Sequence, residues 1–264
     1  MDLEKNKNDN CEEVRRYILE NIDWECEVFK KFNQENLGCK YAVSSAIDWF
    51  FKNVEEGIIL EDDCLPSLSF FKFCENLLEY YRNDTRIMHI GGTNFQDNIK
   101  RGEYTYYFSK YVHIWGWATW RRAWKYYDVN IKTINDFIKE NAINNIFDFN
   151  KERKLFLRIF LDIYNNKIDT WDYQWFYTVI SQNGLAITPN LNMVSNIGFG
   201  DNATHTKSKN SKFSKMDIFE VNEIIHPKFV LQNKEADKYT YENVFKQKNI
   251  VKKIINKIFD KITL

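Results

Sequence analysis

The spacing of apolar residues in the first part of the chain switches repeatedly between the helical period and short apolar runs. Val14, Tyr17, Ile18 and Ile22 recur at helical spacing, with Asn10 and Glu13 placed as a cap, and predict a helix over 11–21. Residues 25–33 read as a short strand closed by Asn36-Leu37-Gly38, after which Tyr41, Ala42, Ala46, Ile47 and Phe50 form the stripe of a second helix. Gly57-Ile58-Ile59-Leu60 is a β-branched apolar run that breaks abruptly into Glu61-Asp62-Asp63, as a buried parallel strand does at the carboxyl edge of its sheet. Residues 67–82 predict a third helix behind Pro66, and 86–90 a strand ending at Gly91-Gly92. This alternation predicts an α/β domain with a mostly parallel sheet and crossover helices.

Farther along, 103–114 reads as extended and rich in Tyr and Phe. Helices are predicted over 119–127, 133–141, 151–164 and 171–182, and a strand over 185–188 stopped by Pro189. There is no internal repeat. The first boundary falls near residue 206 and separates a domain over 1–206 from a basic loop (207–215) and a C-terminal tail that complete 207–264. In the tail Ile250, Val251, Ile254, Ile255, Ile258, Phe259 and Ile262 gather on one helical face, with Lys252, Lys253, Lys257 and Lys261 elsewhere. A helix packed on the domain and a helix lying on an anionic membrane surface over 249–264 both fit this pattern.

Composition narrows the class. Only 9 Gly and 3 Pro occur in 264 residues, which excludes a collagenous, linker-like or Pro/Gly-rich disordered chain. The 8 Trp, 15 Tyr and 21 Phe supply a large apolar payload with flat faces that also stack on sugars. Lys and Arg balance Asp and Glu at 37 each, so no overall positive field exists to drive sequence-independent nucleic-acid binding. The balance hides an asymmetry: residues 1–100 carry 12 basic and 20 acidic side chains, while 206–264 carry 13 basic and 7 acidic. An acidic front suits a metal site, and a basic tail suits an anionic partner. The 5 cysteines lack C-x-x-C spacing and read as reduced, mostly buried thiols of a cytoplasmic protein. No apolar leader core and no apolar run of membrane-spanning length is seen, so a peripheral place at the inner membrane face is the only membrane role expected.

Four segments carry candidate chemistry. Glu61, Asp62 and Asp63 repel one another and are costly together unless a cation neutralises them; along a strand Glu61 and Asp63 share a face and Asp62 points away. Solvated loop acids are the alternative. Trp115, Trp117, Trp120 and Trp124 fall within ten residues around Gly116, where aromatic faces beside a glycine could stack on a sugar ring while the backbone approaches closely; part of this set reads as core. Asp172 lies between Trp171 and Tyr173 at a helix start. It reads equally as a residue favoured by the helix dipole and as a general base among apolar neighbours. His205 follows the glycine loop Gly198-Phe199-Gly200 and could add an imidazole to a carboxylate-held metal.

In this order, NLGCKYA (36–42), IILEDDCLPS (58–67), WGWATWRRAW (115–124), TWDYQW (170–175) and NIGFGDNATHT (196–206) resemble the GT-A fold nucleotide-diphospho-sugar transferases, and most closely bacterial polysaccharide-type enzymes sharing the Glu-Asp-Asp signature with the N-acetylglucosaminyltransferase I group. The resemblance runs from about Asn33 to Pro227. It implies a Rossmann-like sheet, with the family's opening strand-helix-strand not visible in this sequence. It also implies Mn²⁺ or Mg²⁺ on Asp63, donor contacts at Glu61, Asp62 and Asp63, an acceptor side at Trp115, Gly116, Trp117 and Trp171, Asp172 as catalytic base, and His205 at the metal or diphosphate. The implied reaction is inverting transfer of a sugar from a nucleoside diphosphate donor to a glycan or lipid-linked acceptor in bacterial surface polysaccharide synthesis. A non-catalytic remnant or glycan-binding module that lacks the nucleotide-binding half is the alternative expectation.

Overall fold

The computed structural model describes residues 11–199 and 211–246. Its first helix, α1 (Cys11–Glu20), turns the predicted apolar stripe outward: Val14, Tyr17 and Ile18 are exposed, and the buried residue is Arg15. The Arg15 guanidinium lies 4.8 Å over the Phe32 ring and donates to Glu12 and to the Asn33 carbonyl. A cation–π contact and polar bonds, not an apolar face, thus hold α1 to the segment that follows it. The predicted strand over 25–33 is not formed, because no described strand lies beside this segment to complete its backbone bonds.

Helix α2 (Gly38–Asn53) begins at a glycine with φ +70° and buries Lys40, Ser44, Ile47 and Phe51. Next come β1 (Glu56–Ile59), β2 (Cys64–Pro66), α3 (Leu68–Tyr80), β3 (Ile87–Gly91), β4 (Tyr106–Ser109) and β5 (Trp117–Trp120). Helices α4 (Arg121–Trp124), α5 (Ile134–Lys139), α6 (Asn150–Tyr164) and α7 (Asp172–Ser181) lead to β6 (Leu185–Pro189) and β7 (Val194–Asn196). Helix α8 (Lys234–Thr240) runs into a π-helical turn over Tyr241–Phe245.

The main sheet has the order β1-β5-β3-β6-β4, and β2 and β7 form a separate antiparallel pair. The expectation of a mostly parallel sheet is corrected: β3 and β6 run parallel, and the other three neighbouring pairs are antiparallel. The causes are β5, which enters between β1 and β3 against the direction of both, and β4, which runs against β6 at the far edge. Strands β1, β3 and β6 still point the same way, so the order of elements gave their common sense but not the strand wedged between two of them. The fold class is therefore α/β with a mixed sheet.

Side chains alternate across β5. Ala118 and Trp120 pack into the core under α3, with Phe70, Phe73, Leu77, Ile90 and Val194. Trp117 packs into the core on the other face, with Ile47, Phe51, Trp124, Trp171 and Trp175. A further aromatic core joins α5, α6 and α7 to Tyr111 and Tyr241. Val221, Ile224 and Val230 lie against the α3 core, and Gln232 bridges to Phe108 at the outer edge of β4. The described part of 207–264 therefore shares the cores of the domain. No described helix is long and apolar enough to cross a membrane.

Candidate functional site

The carboxyl end of β1 opens into a turn in which the Cys64 amide donates to the Glu61 carbonyl at 3.1 Å. The turn folds Glu61, Asp62 and Asp63 back over the rim of the sheet. Asp62 is exposed, whereas Glu61 and Asp63 are half-buried. Burial, followed by the charges of Asp63, Asp172 and Asp62, pushes the Glu61 carboxyl up from its ordinary 4.5 to about 7, and a hydrogen bond from the Trp171 side chain opposes this. Its Oε1 is buried without a hydrogen-bond partner. The sequence-predicted acids thus divide into an exposed Asp62 and a crowded group of Glu61, Asp63 and Asp172.

Asp63 is framed by the β2–β7 pair. Its carbonyl accepts from the Ile197 amide at 2.9 Å, and a β-carbon on Gly198 would overlap its carboxylate. The small residue at 198 is what lets the second strand of this pair close over the acid. Asp172 opens α7, where Thr170 Oγ1 donates to its Oδ1. Gln174 Nε2 holds the Thr170 carbonyl at 2.5 Å, and the Tyr127 hydroxyl donates to the Trp171 carbonyl at 3.1 Å.

This turn into α7 is also tied to the start of α2, a neighbour that no motif or period in the chain foretold. The Asp169 carboxylate accepts from the Lys40 amide at 3.2 Å, and a β-carbon on Gly38 would stand 3.2 Å from its Oδ2. Lys40 Nζ donates to Asn166 at 3.1 Å. The signals for these supporting residues were the glycine of NLGCK and the acid directly before the Thr170-Trp171-Asp172 turn, each too common to single out.

The tryptophans separate by burial. Trp117 and Trp171 are 0 % and 1 % exposed and stack on each other at 5.8 Å and 21°, with His89 also stacked on Trp117 and Trp175 tilted against it. Neither has a face open to an acceptor in this structure; the Trp171 edge serves Glu61 instead. The period of two in this run is that of a strand, which puts Trp117 across the sheet from Trp120. Trp115 is half-buried and meets Phe199 edge to face at 5.6 Å. Gly116 adopts φ +64°, and a β-carbon there would lie 2.7 Å from Val194 Cγ2. Its carbonyl accepts from the Gly92 amide at 2.8 Å, which fixes the turn to the end of β3. His89, fully buried, accepts from Trp175 Nε1 at 3.2 Å and faces the His113 carbonyl at 3.2 Å; burial holds its imidazole neutral, down at about 3. His205 lies outside the described residues.

No protein-family model matches the chain, and no curated protein matches it in sequence. Among the described residues no three His, Cys, Asp or Glu side chains stand close enough to hold a metal by themselves. The donor chemistry nevertheless fits a hard divalent cation. Magnesium-type sites take one or two carboxylates and complete their shell with substrate phosphates and water, and Glu61 offers a buried oxygen that lacks a partner.

Proposed function

We propose that this chain is a metal-dependent inverting glycosyltransferase of GT-A type, which moves a sugar from a nucleoside diphosphate sugar to a glycan or lipid-linked acceptor hydroxyl in bacterial surface polysaccharide synthesis. The observation that carries the reading is the crowding of Glu61, Asp63 and Asp172 at one rim of an α/β sheet, where burial and mutual repulsion leave Glu61 raised and one of its oxygens without a partner. In open α/β sheets ligands bind outside the carboxyl ends of strands, and β1, β3 and β6 all end at this rim.

In this reading Asp63, with Glu61 beside it, would hold Mn²⁺ or Mg²⁺, and exposed Asp62 would meet the donor ribose or sugar. The bound ion would neutralise charge developing on the leaving diphosphate. Asp172 takes the proton of the acceptor hydroxyl as its oxygen bonds to the anomeric carbon and the bond from that carbon to the diphosphate breaks. One in-line displacement inverts the centre. Thr170, bonded to Asp172, fixes which carboxylate oxygen faces the acceptor. Trp115 and the Gly116 backbone line the acceptor side, and Trp117 and Trp171 support it from within the core.

The test is a thermal-shift panel of nucleoside diphosphates and nucleotide sugars with and without Mn²⁺. A rise in Tm that needs both nucleotide and metal, and that Asp63→Ala removes, is expected. No nucleotide-dependent shift under any metal condition, together with retained binding of acceptor oligosaccharide, would instead establish the glycan-binding module.

A further inference from the structure

The outward-facing stripe of α1 belongs to a larger uncovered surface. Tyr17 is 66 % exposed, Trp24 64 % and Phe29 73 %, and Ile18, Phe32 and Tyr41 are exposed around them. These side chains come from α1, from the irregular segment after it and from the start of α2. They are held together by the Arg15–Phe32 contact and by Lys31 Nζ donating to Ser45 of α2 at 3.1 Å. So many exposed large apolar groups on neighbouring segments mark an interaction surface. It is also acidic: residues 11–35 carry seven Asp or Glu against four Lys or Arg.

Residues 247–264, outside the described part, have the complementary character. They hold five lysines and one aspartate, and their isoleucines recur at helical spacing. The place where they begin is within reach. Phe245 packs on Phe156 of α6 with ring centroids 5.2 Å apart, and ten residues on, Asn166 is bonded to Lys40 at the start of α2. Ten helical residues span about 15 Å, and eighteen residues span about 27 Å even when fully helical. The segment is therefore long enough to reach from α6 to the surface around Tyr41.

We propose that residues 247–264 dock on this surface of their own chain, with the isoleucine side against Tyr17, Ile18, Trp24 and Phe29 and the lysines among the carboxylates of 12–27. Charge complementarity and proximity both favour the chain's own tail over a lipid surface, which would draw the same lysines toward anionic headgroups and leave the aromatic surface bare. The inference does not depend on the glycosyltransferase reading.

The test is zero-length carbodiimide crosslinking of the full chain in 0.15 M salt, on an equal mixture of ¹⁵N-labelled and unlabelled protein, with peptides read by mass spectrometry. Links from Lys252, Lys253 or Lys257 to Glu12, Glu20, Asp23, Glu25 or Glu27 are expected, each within one isotopic species. The double substitution Ile254→Asp, Ile255→Asp should abolish them and speed amide exchange over 11–32 at least tenfold, with exchange in β3 and β6 unchanged. The proposal is overturned by the absence of such links, by links that join the two isotopic species as in a second copy, or by exchange over 11–32 that the double substitution leaves unaltered. It is equally overturned if the tail stays unlinked in solution and binds phosphatidylglycerol vesicles instead.

Discussion

Gly198 lies against Asp63 so closely that a β-carbon on the glycine would stand 2.7 Å from the β-carbon of the aspartate, well inside van der Waals contact. The aspartate β-carbon cannot swing away as the end of a long side chain can, so Gly198→Ala must move either Asp63 or the β7 end of the β2–β7 pair. The expected result is loss of the metal-dependent nucleotide shift, as complete as in Asp63→Ala, at a stability cost of about 1–3 kcal/mol. Thermal shift with and without Mn²⁺ and nucleotide, beside urea unfolding of the ligand-free protein, separates the two effects.

Trp115 and Trp117 stand two residues apart and should respond in opposite ways. Trp117→Ala empties the centre of a stack formed with Trp171, Trp175 and His89, and is expected to cost about 3–5 kcal/mol. Trp115→Ala removes a half-buried ring and should cost clearly less, while weakening acceptor oligosaccharide binding at least tenfold. Urea unfolding and titration calorimetry with acceptor oligosaccharide decide it. Equal destabilisation by the two substitutions would show Trp115 to be core.

Gly116→Ala meets two penalties together: a left-handed backbone at φ +64° and Val194 only 2.7 Å from the new methyl. Left-handed alanine costs on the order of 1 kcal/mol and the overlap adds about 1–3 kcal/mol. A drop in urea midpoint of that combined size is expected. Gly102→Ala is the control: it has a similar φ of +82° with open space around it, so only the backbone part should appear.

The pH dependence of stability has two opposed contributions in the metal-free protein. Glu61 is raised from 4.5 to about 7, so between those values the folded chain keeps a proton the unfolded chain has released. Its contribution to stability falls as pH rises through that window, by an amount of order 3 kcal/mol, and is not regained above it. His89 is held down from 6.5 to about 3, so below pH 6.5 the unfolded chain takes up a proton the folded chain refuses, and stability falls as pH drops. The two windows overlap, so the useful quantity is a difference. Glu61→Gln should gain on the wild type progressively from pH 5 to pH 8, in urea unfolding with EDTA present. A gain independent of pH would mean that Glu61 does not titrate in this range.

The helices over 38–53, 68–80, 150–164 and 172–181 and the strands at 87–91 and 185–189 were legible because each buries one face or both, and burial writes a period into the sequence; the run at 56–59 was legible as a strand but stands half-buried at the sheet edge, paired antiparallel, rather than buried among parallel neighbours. The strand at Trp117–Trp120 was not, since its residues are bulky on both faces and run straight into the short α4, which extends the impression of a helix from 119 onward. The strand expected over 25–33 failed for the converse reason: among the described residues it has no neighbouring strand to pair with. The Glu61 to Asp63 cluster was legible as chemistry. The tie of Gly38 and Lys40 to Asp169, beside Asp172, was not, because it joins positions more than a hundred residues apart through one backbone amide.

Strand β1 touches the sheet through β5 alone: Ile59 pairs with Trp117, and β5 in turn pairs with β3 at Gly91. The acids that follow β1 therefore have no rim to stand on until a strand about sixty residues later has been made and inserted. On the ribosome, the first half of the chain would emerge with its carboxylates unanchored; the arrival of Trp117–Trp120 would give β1 its place in the sheet, and Asp172 and β7 would complete the cluster only later. Because the indole of Trp117 and the methyl of Ala118 occupy opposite sides of the sheet, that insertion tolerates one alignment: a slip by a single residue would drive the ring into a space shaped for the methyl.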